Sequence, residues 1–196
     1  MLPNITEREK ASGYVYYELA TLLDARRVHD KAAKKQTSGS PETNPLWNAV
    51  QRCALESFLT HYRNLFEFLT NKDFKDNLLA EHYASGWSGE DDWRKDAPED
   101  EQKRINKLLA HISFKRDELG TGSWCPDAME ARVCRVFSEF IRQLTDHDTK
   151  LFSRAVEALD ARARSSTPVP TIGQGNPSTA TVISFGWWAL DFDCFS

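Results

Sequence analysis

Residues 44–72 read NPLWNAVQRCALESFLTHYRNLFEFLTNK. Placed on a wheel at about 100° per residue, Ala54, Leu55, Phe58, Leu59, Tyr62, Leu65, Phe66 and Leu69 share one wide apolar stripe. Asn44 is a good helix cap, and Pro45 suits the first helical position. The stretch therefore predicts one long amphipathic helix over 44–72 with a single face to bury. A second stripe carries Glu56, Thr60, Arg63 and Glu67. His61 falls at one edge of the apolar stripe and Arg63 near the other, where both are expected to be partly buried.

The flanking segments repeat the pattern. On the N-terminal side, Thr6-Glu-Arg-Glu9 fits a capping box, and Ala11, Val15, Leu19, Leu22 and Leu23 follow at helical spacing. A first helix is predicted over 6–34, ending in basic residues that suit the negative pole of its dipole. The polar loop 36–43 is short enough for antiparallel packing of the first two helices. A short helix is expected within 71–83, begun by Asp73 or Asp76. Residues 85–97 are expected to form a loop whose Trp87 and Trp93 fold back over the core.

The next helix is predicted over 98–116, started by Asp96 and Pro98, with Ile105, Leu108, Leu109 and Ile112 on its apolar face. A last long helix begins at Cys125-Pro126-Asp127 and keeps its phase from Met129 through Leu159. That phase places Asp148 near the core, so a break around Asp146–Thr149 is the alternative. The fold class is thus all-α: an up-and-down bundle of four main helices with one short extra helix, spanning 1–164. Residues 165–196 form a low-charge tail, first rich in Pro and Gly and then aromatic, that either stays disordered or packs on the bundle.

Composition narrows the function classes. The net charge of -4 supplies no global attraction to nucleic acid or membranes, so any RNA contact needs a local basic patch. No apolar run approaches the roughly 18 residues that span a bilayer. The charged start, MLPNITEREK, lacks the apolar stretch of a signal peptide. Cys53, Cys125, Cys134 and Cys194 form no CxxC pair and suit reduced thiols in the cytoplasm. The five histidines show no HExxH, HxxxH or ExxH spacing, and neither GxSxG nor a phosphate-binding glycine loop is present. No metal or cofactor is expected.

The polar residues that remain lie on two segments. Arg104 and His111 are about 20° apart on the wheel, two turns along one helix face, and Lys107 lies between them. A histidine can act as general acid or base, and an arginine can hold a phosphate through its planar fork. With Glu56, His61, Arg63, Glu67, Asn106, Lys107 and Arg116 in support, a polar groove between the two helices is the candidate site.

An all-α bundle with Arg-x6-His on a helix, here Arg104-Ile-Asn-Lys-Leu-Leu-Ala-His111, resembles the HEPN (higher eukaryotes and prokaryotes nucleotide-binding) superfamily. That resemblance implies metal-independent RNA cleavage by Arg104 and His111 in a homodimer, as a ribonuclease or toxin-system component. The residue after the arginine departs from the family pattern: it is Ile105, where the family usually has a polar group. The fuller pattern, ALESFLTHYRNLFEFL followed by RINKLLAHISFKR, is also similar to a bacterial family of uncharacterised helical proteins. Two other readings use the same residues. In a non-catalytic interaction module the histidines pair with neighbouring helices. In a small-ligand bundle a pocket is lined by His61, Tyr62 and Arg63.

Overall fold

The computed structural model describes residues 4–38, 44–70, 78–110 and 124–166. Among these there are seven α-helices, one 3₁₀ turn and no strand: α1 (Ile5–Ser38), α2 (Asn44–Leu69), the 3₁₀ turn (Ala80–His82), α3 (Glu90–Arg94), α4 (Glu101–Ala110), α5 (Pro126–Arg142), α6 (Asp146–Leu151) and α7 (Ser153–Ser166). The all-α class is as the sequence predicts. The tail from residue 167, and the expected helix start at Asp73 or Asp76, lie outside the described residues.

α1 is longer than predicted, and its cap differs. The reciprocal box joins Asn4 and Glu7: the Asn4 amide donates to Glu7 Oε2 at 2.8 Å, and the Glu7 amide donates to Asn4 Oδ1 at 3.0 Å. Asparagine caps at least as well as threonine, which moves the start ahead of the Thr6–Glu9 pair. At the other end the hydroxyls of Thr37 and Ser38 both donate to the Lys34 carbonyl, so the last turn closes beyond 34.

α2 buries seven of the eight residues of the stripe read from its sequence, Ala54, Phe58, Leu59, Tyr62, Leu65, Phe66 and Leu69, while Leu55 is half-buried and Phe68 is buried in addition. Its partner is α1, and the side-chain bonds between them fix the direction. Gln36 and His29 both reach Gln51, whereas Glu18 reaches His61 and Asn64. Rising positions on α1 meet falling positions on α2, so the two helices are antiparallel. α5 runs parallel to α2, with Arg132 beside Tyr62 and Phe140 against Phe68. α6 and α7 return alongside α1, where Arg8 meets Asp148 and Arg154 lies over Tyr16.

The segment between α2 and α4 is less of a loop than predicted. Trp87 and Trp93 are 3% and 1% exposed, so both indoles fold back into the core as expected. α3, however, forms within it, since Glu90, Asp91 and Asp92 place three acids in its first turn. The Trp87 indole donates to the Leu69 carbonyl at 2.7 Å and so satisfies one of the carbonyls left open at the end of α2. Gly89 is required by this arrangement. A Cβ there would collide with the Leu69 carbonyl oxygen and stand 2.8 Å from the Trp87 ring.

α4 starts at Glu101, three residues after Pro98, whose carbonyl accepts the Glu101 amide in a turn. Asp96 does not cap it. Its carboxylate is taken by Arg132 and Arg135 of α5. The long final helix is broken, as the position of Asp148 allowed. α5 ends at Arg142, and Thr145 caps α6 by accepting the Asp148 amide. Asp148, 5% exposed, keeps its inward place because Arg8 approaches it at 2.5 Å and the Thr145 hydroxyl at 3.0 Å. One apolar cluster joins side chains of all the main helices.

Candidate functional site

The polar residues singled out on α2 turn to different neighbours. His61 uses Nδ1 to meet Glu18 Oε2 on α1 at 2.6 Å, and Asn64 donates to the same oxygen at 2.9 Å. Tyr17 presents its ring edge-on to the imidazole at a centroid distance of 5.6 Å. Arg63 stays on its own helix and pairs with Glu67 at 2.9 Å. Glu56 is exposed. Glu18, Asn64, Glu67, Phe68 and Leu78 line an open surface depression of about 210 Å³.

Tyr62, one residue on from His61, points inward instead and meets α4 and α5. Its hydroxyl donates to Glu101 Oε1 at 2.7 Å and accepts from Arg132 Nη1. Arg132 Nη1 also reaches both oxygens of Glu101, at 2.8 and 3.0 Å. Its Nε donates to the Asp96 carboxylate at 2.7 Å and its Nη2 to the Asp96 carbonyl at 2.5 Å. Burial pushes the Tyr62 hydroxyl pKa well above its ordinary value, with the nearby Glu101 charge acting the same way. Burial alone would lower the Arg132 pKa, but the Tyr62 oxygen and the Glu101 carboxylate more than offset it, so the guanidinium stays charged. The network is buried at Tyr62, Glu101 and Arg132 and reaches solvent at Asp96, and it works as a junction between α2, α4 and α5.

On α4 the exposed side is basic. Lys103 is exposed and Arg104 and Lys107 are half-buried; all three lie within about 100° of one another on the wheel. The Arg104 guanidinium lies over the Trp124 ring, 4.6 Å from its centroid. Trp124 itself is half-buried and packs on the core. Asn106 is exposed too, about 60° round the helix from Lys103. His111 and Arg116 lie outside the described residues.

The predicted groove thus divides among the described residues. His61 and Asn64 belong to the α1–α2 seam through Glu18. Arg104 and Lys107 belong to a strip with Lys103 and Trp124. Glu18, Glu101, Arg132 and Trp124 were not singled out from sequence. The signal for the buried network was nevertheless present: Tyr62 sits mid-stripe with a hydroxyl to satisfy, and Arg132 lies at the edge of the apolar face of α5, about 40° from Val136 on the wheel. A second ion cluster, Arg26 with Asp30, Asp127 and Glu130, and Glu130 with Arg162, ties α1 to α5 and α7. Among the described residues no three His, Cys, Asp or Glu side chains are grouped so as to hold a metal. None of the described helices is long and apolar enough to cross a membrane. Compared with protein-family models, with curated proteins and with solved structures, the chain finds no match.

Proposed function

We propose that the protein is a cytoplasmic, metal-independent ribonuclease of HEPN-like type, or a toxin-system component with that activity, acting as a homodimer. The observation that carries this reading is the basic strip of α4, with Arg104 held over Trp124. It is the local positive patch that RNA contact requires on a chain of net charge -4. The all-α class and the Arg104-x6-His111 spacing agree with it. In this reading Arg104 stabilises charge on the phosphate, while His111 moves a proton at the 2′-hydroxyl or at the leaving oxygen. Lys103 and Lys107 hold the adjoining backbone. His61, already paired with Glu18, serves the α1–α2 seam and not the chemistry.

The test is cleavage of a fluorescent single-stranded RNA by purified protein in EDTA. Cleavage that His111→Ala abolishes, with Arg104→Ala reduced at least tenfold, supports the assignment. Equal activity in the wild type and His111→Ala, or none in either, sinks it. Light scattering on the same preparation reports whether the active species is a dimer.

A second reading is favoured by α1. Tyr14 and Tyr17 are 59% and 57% exposed on one side of it, an aromatic pair suited to a protein partner. A non-catalytic interaction module would show no RNA cleavage, and Tyr14→Ala with Tyr17→Ala would leave its fold intact while removing partner binding.

A further inference from the structure

Gly13 lies in the interior of α1, exposed and in helical backbone. A glycine inside a helix weakens it relative to alanine. Nothing within the chain asks for one: a Cβ at this position meets no atom within 4 Å, whereas at Gly89 it would strike backbone. On the wheel Gly13 is at the centre of the outward face of α1, with Lys10, Tyr17, Asp24 and Lys31, all exposed, within about 60° of it. Tyr17, one turn further along that face, is 57% exposed. The missing side chain thus leaves a notch beside an outstanding aromatic ring.

The charges around this pair are self-complementary. Glu9 and Lys10 lie about one turn before the notch, both exposed. Asp24 and Arg27, paired with each other at 2.8 Å, lie roughly two to three turns beyond Tyr17. A second copy of α1 can be laid antiparallel across the face, with Tyr17 of each copy over Gly13 of the other. The two copies are then related by a twofold axis, and every contact is made twice. In that register Lys10 comes opposite the other copy's Ala20, and Glu9 opposite its Thr21. Helical side chains lean towards their own N-terminus, so Lys10 converges with the other copy's Asp24 and Glu9 with its Arg27. A parallel pairing in register would instead set Lys10 on Lys10 and Asp24 on Asp24. The charges therefore select an antiparallel second copy as the occupant of this face.

We propose that the outward face of α1 is a homodimer surface, in which Tyr17 of one copy fills the Gly13 notch of the other and Lys10–Asp24 and Glu9–Arg27 pairs close both sides. This gives the homodimer of the proposed function its surface and rests on that reading for the dimer alone. RNA cleavage has no part in it.

The test is sedimentation equilibrium of the full-length protein over a concentration series, with melting temperatures and the RNA cleavage assay on the same preparations. A single helix pair is at the small end of interface sizes, so the wild type is expected to dimerise reversibly and to dissociate on dilution. Gly13→Gln fills the notch with a good helix former. The melting temperature of the dilute monomer then holds or rises, while dimer affinity falls by about tenfold or more. Lys10→Glu alone and Asp24→Lys alone each set like charges across the axis twice and weaken the dimer about tenfold. The two reversals combined restore it. Residues 10 and 24 are about 21 Å apart along one helix, too far to interact within a chain, so that recovery comes from the other copy.

Full dimer affinity in Gly13→Gln, or no recovery in the doubly reversed variant, overturns the inference and leaves the homodimer to another face. A wild type that stays monomeric at every concentration overturns the inference and the homodimer together, and assigns the Tyr17 face to another protein. The cleavage assay on His111→Ala decides the ribonuclease chemistry separately in either case.

Discussion

Arg132 shows how a charged side chain can be held inside a helical core. It is 2% exposed, and what keeps it there is the number and quality of its acceptors: the Glu101 carboxylate, the Asp96 carboxylate and carbonyl, and the Tyr62 hydroxyl. Taking away one member leaves the others desolvated without compensation. Glu101→Gln or Arg132→Met is expected to lower unfolding free energy by about 3–5 kcal/mol. Tyr62→Phe, which removes only a hydroxyl, is expected to cost about 1–3 kcal/mol. Urea unfolding followed by circular dichroism measures both, and a loss below about 1 kcal/mol in Glu101→Gln would refute the network as a major stabiliser.

His29 gives a pH dependence at the same scale. Burial, and after it the positive charge of Arg26, hold its pKa below 6.5, with Asp127 opposing. The unfolded chain therefore takes up this proton at a higher pH than the folded one. The stability contributed by neutral His29 is complete above 6.5 and is lost as pH falls from there through the folded value. In His29→Gln the melting temperature should fall less steeply between pH 7 and pH 5 than in the wild type. Parallel profiles would contradict the assignment.

At the level of elements, the break between α5 and α6 is built by a single cap. Thr145, extended at φ -67 and ψ 162, accepts the Asp148 amide, and Asp148 in turn receives Arg8 from α1. Thr145→Ala should cost about 1 kcal/mol, and Thr145→Ser should restore most of it. Thermal melts decide, and an unchanged Thr145→Ala would mean that Arg8–Asp148 alone sets the bend.

These elements also show what could be read beforehand. The apolar stripes of α2 and α5 were legible because their period is set by burial itself. The cap of α1 lies two residues ahead of the expected one, and the helix starts one residue earlier, because two cap pairs overlap in NITERE and local chemistry alone does not rank them. α3 was missed because five residues are too few to show a period. The grouping of the candidate site was harder still. His61 and Arg63 share a helix with Tyr62, but which neighbour each faces depends on where α1, α4 and α5 settle around α2. That is tertiary information, and no spacing within 44–72 contains it.

Across the whole molecule, the proposed ribonuclease reading requires any RNA contact to be local. With net charge -4, a strip of Lys103, Arg104 and Lys107 can replace about three counterions on a single strand. At roughly 0.7 per phosphate, the logarithm of RNA affinity should fall with the logarithm of salt concentration with a slope near -2. Anisotropy titrations from low to high salt test this. A slope near zero would exclude the strip as the contact surface, and one far steeper would require a larger surface, such as two copies of the chain acting together.

The Tyr62–Glu101–Arg132 junction has a further consequence, for how such a chain can vary. Three helices far apart in sequence each contribute one member, and replacing Glu101 or Arg132 alone strips the other of its buried charged partner. An all-apolar trio of similar volume would be tolerated, since a well-packed core can replace a buried ion network without loss. Intermediates with one or two of the changes would not. Among homologous chains, positions 62, 101 and 132 are therefore expected to change together or not at all, while the apolar positions around them drift one by one.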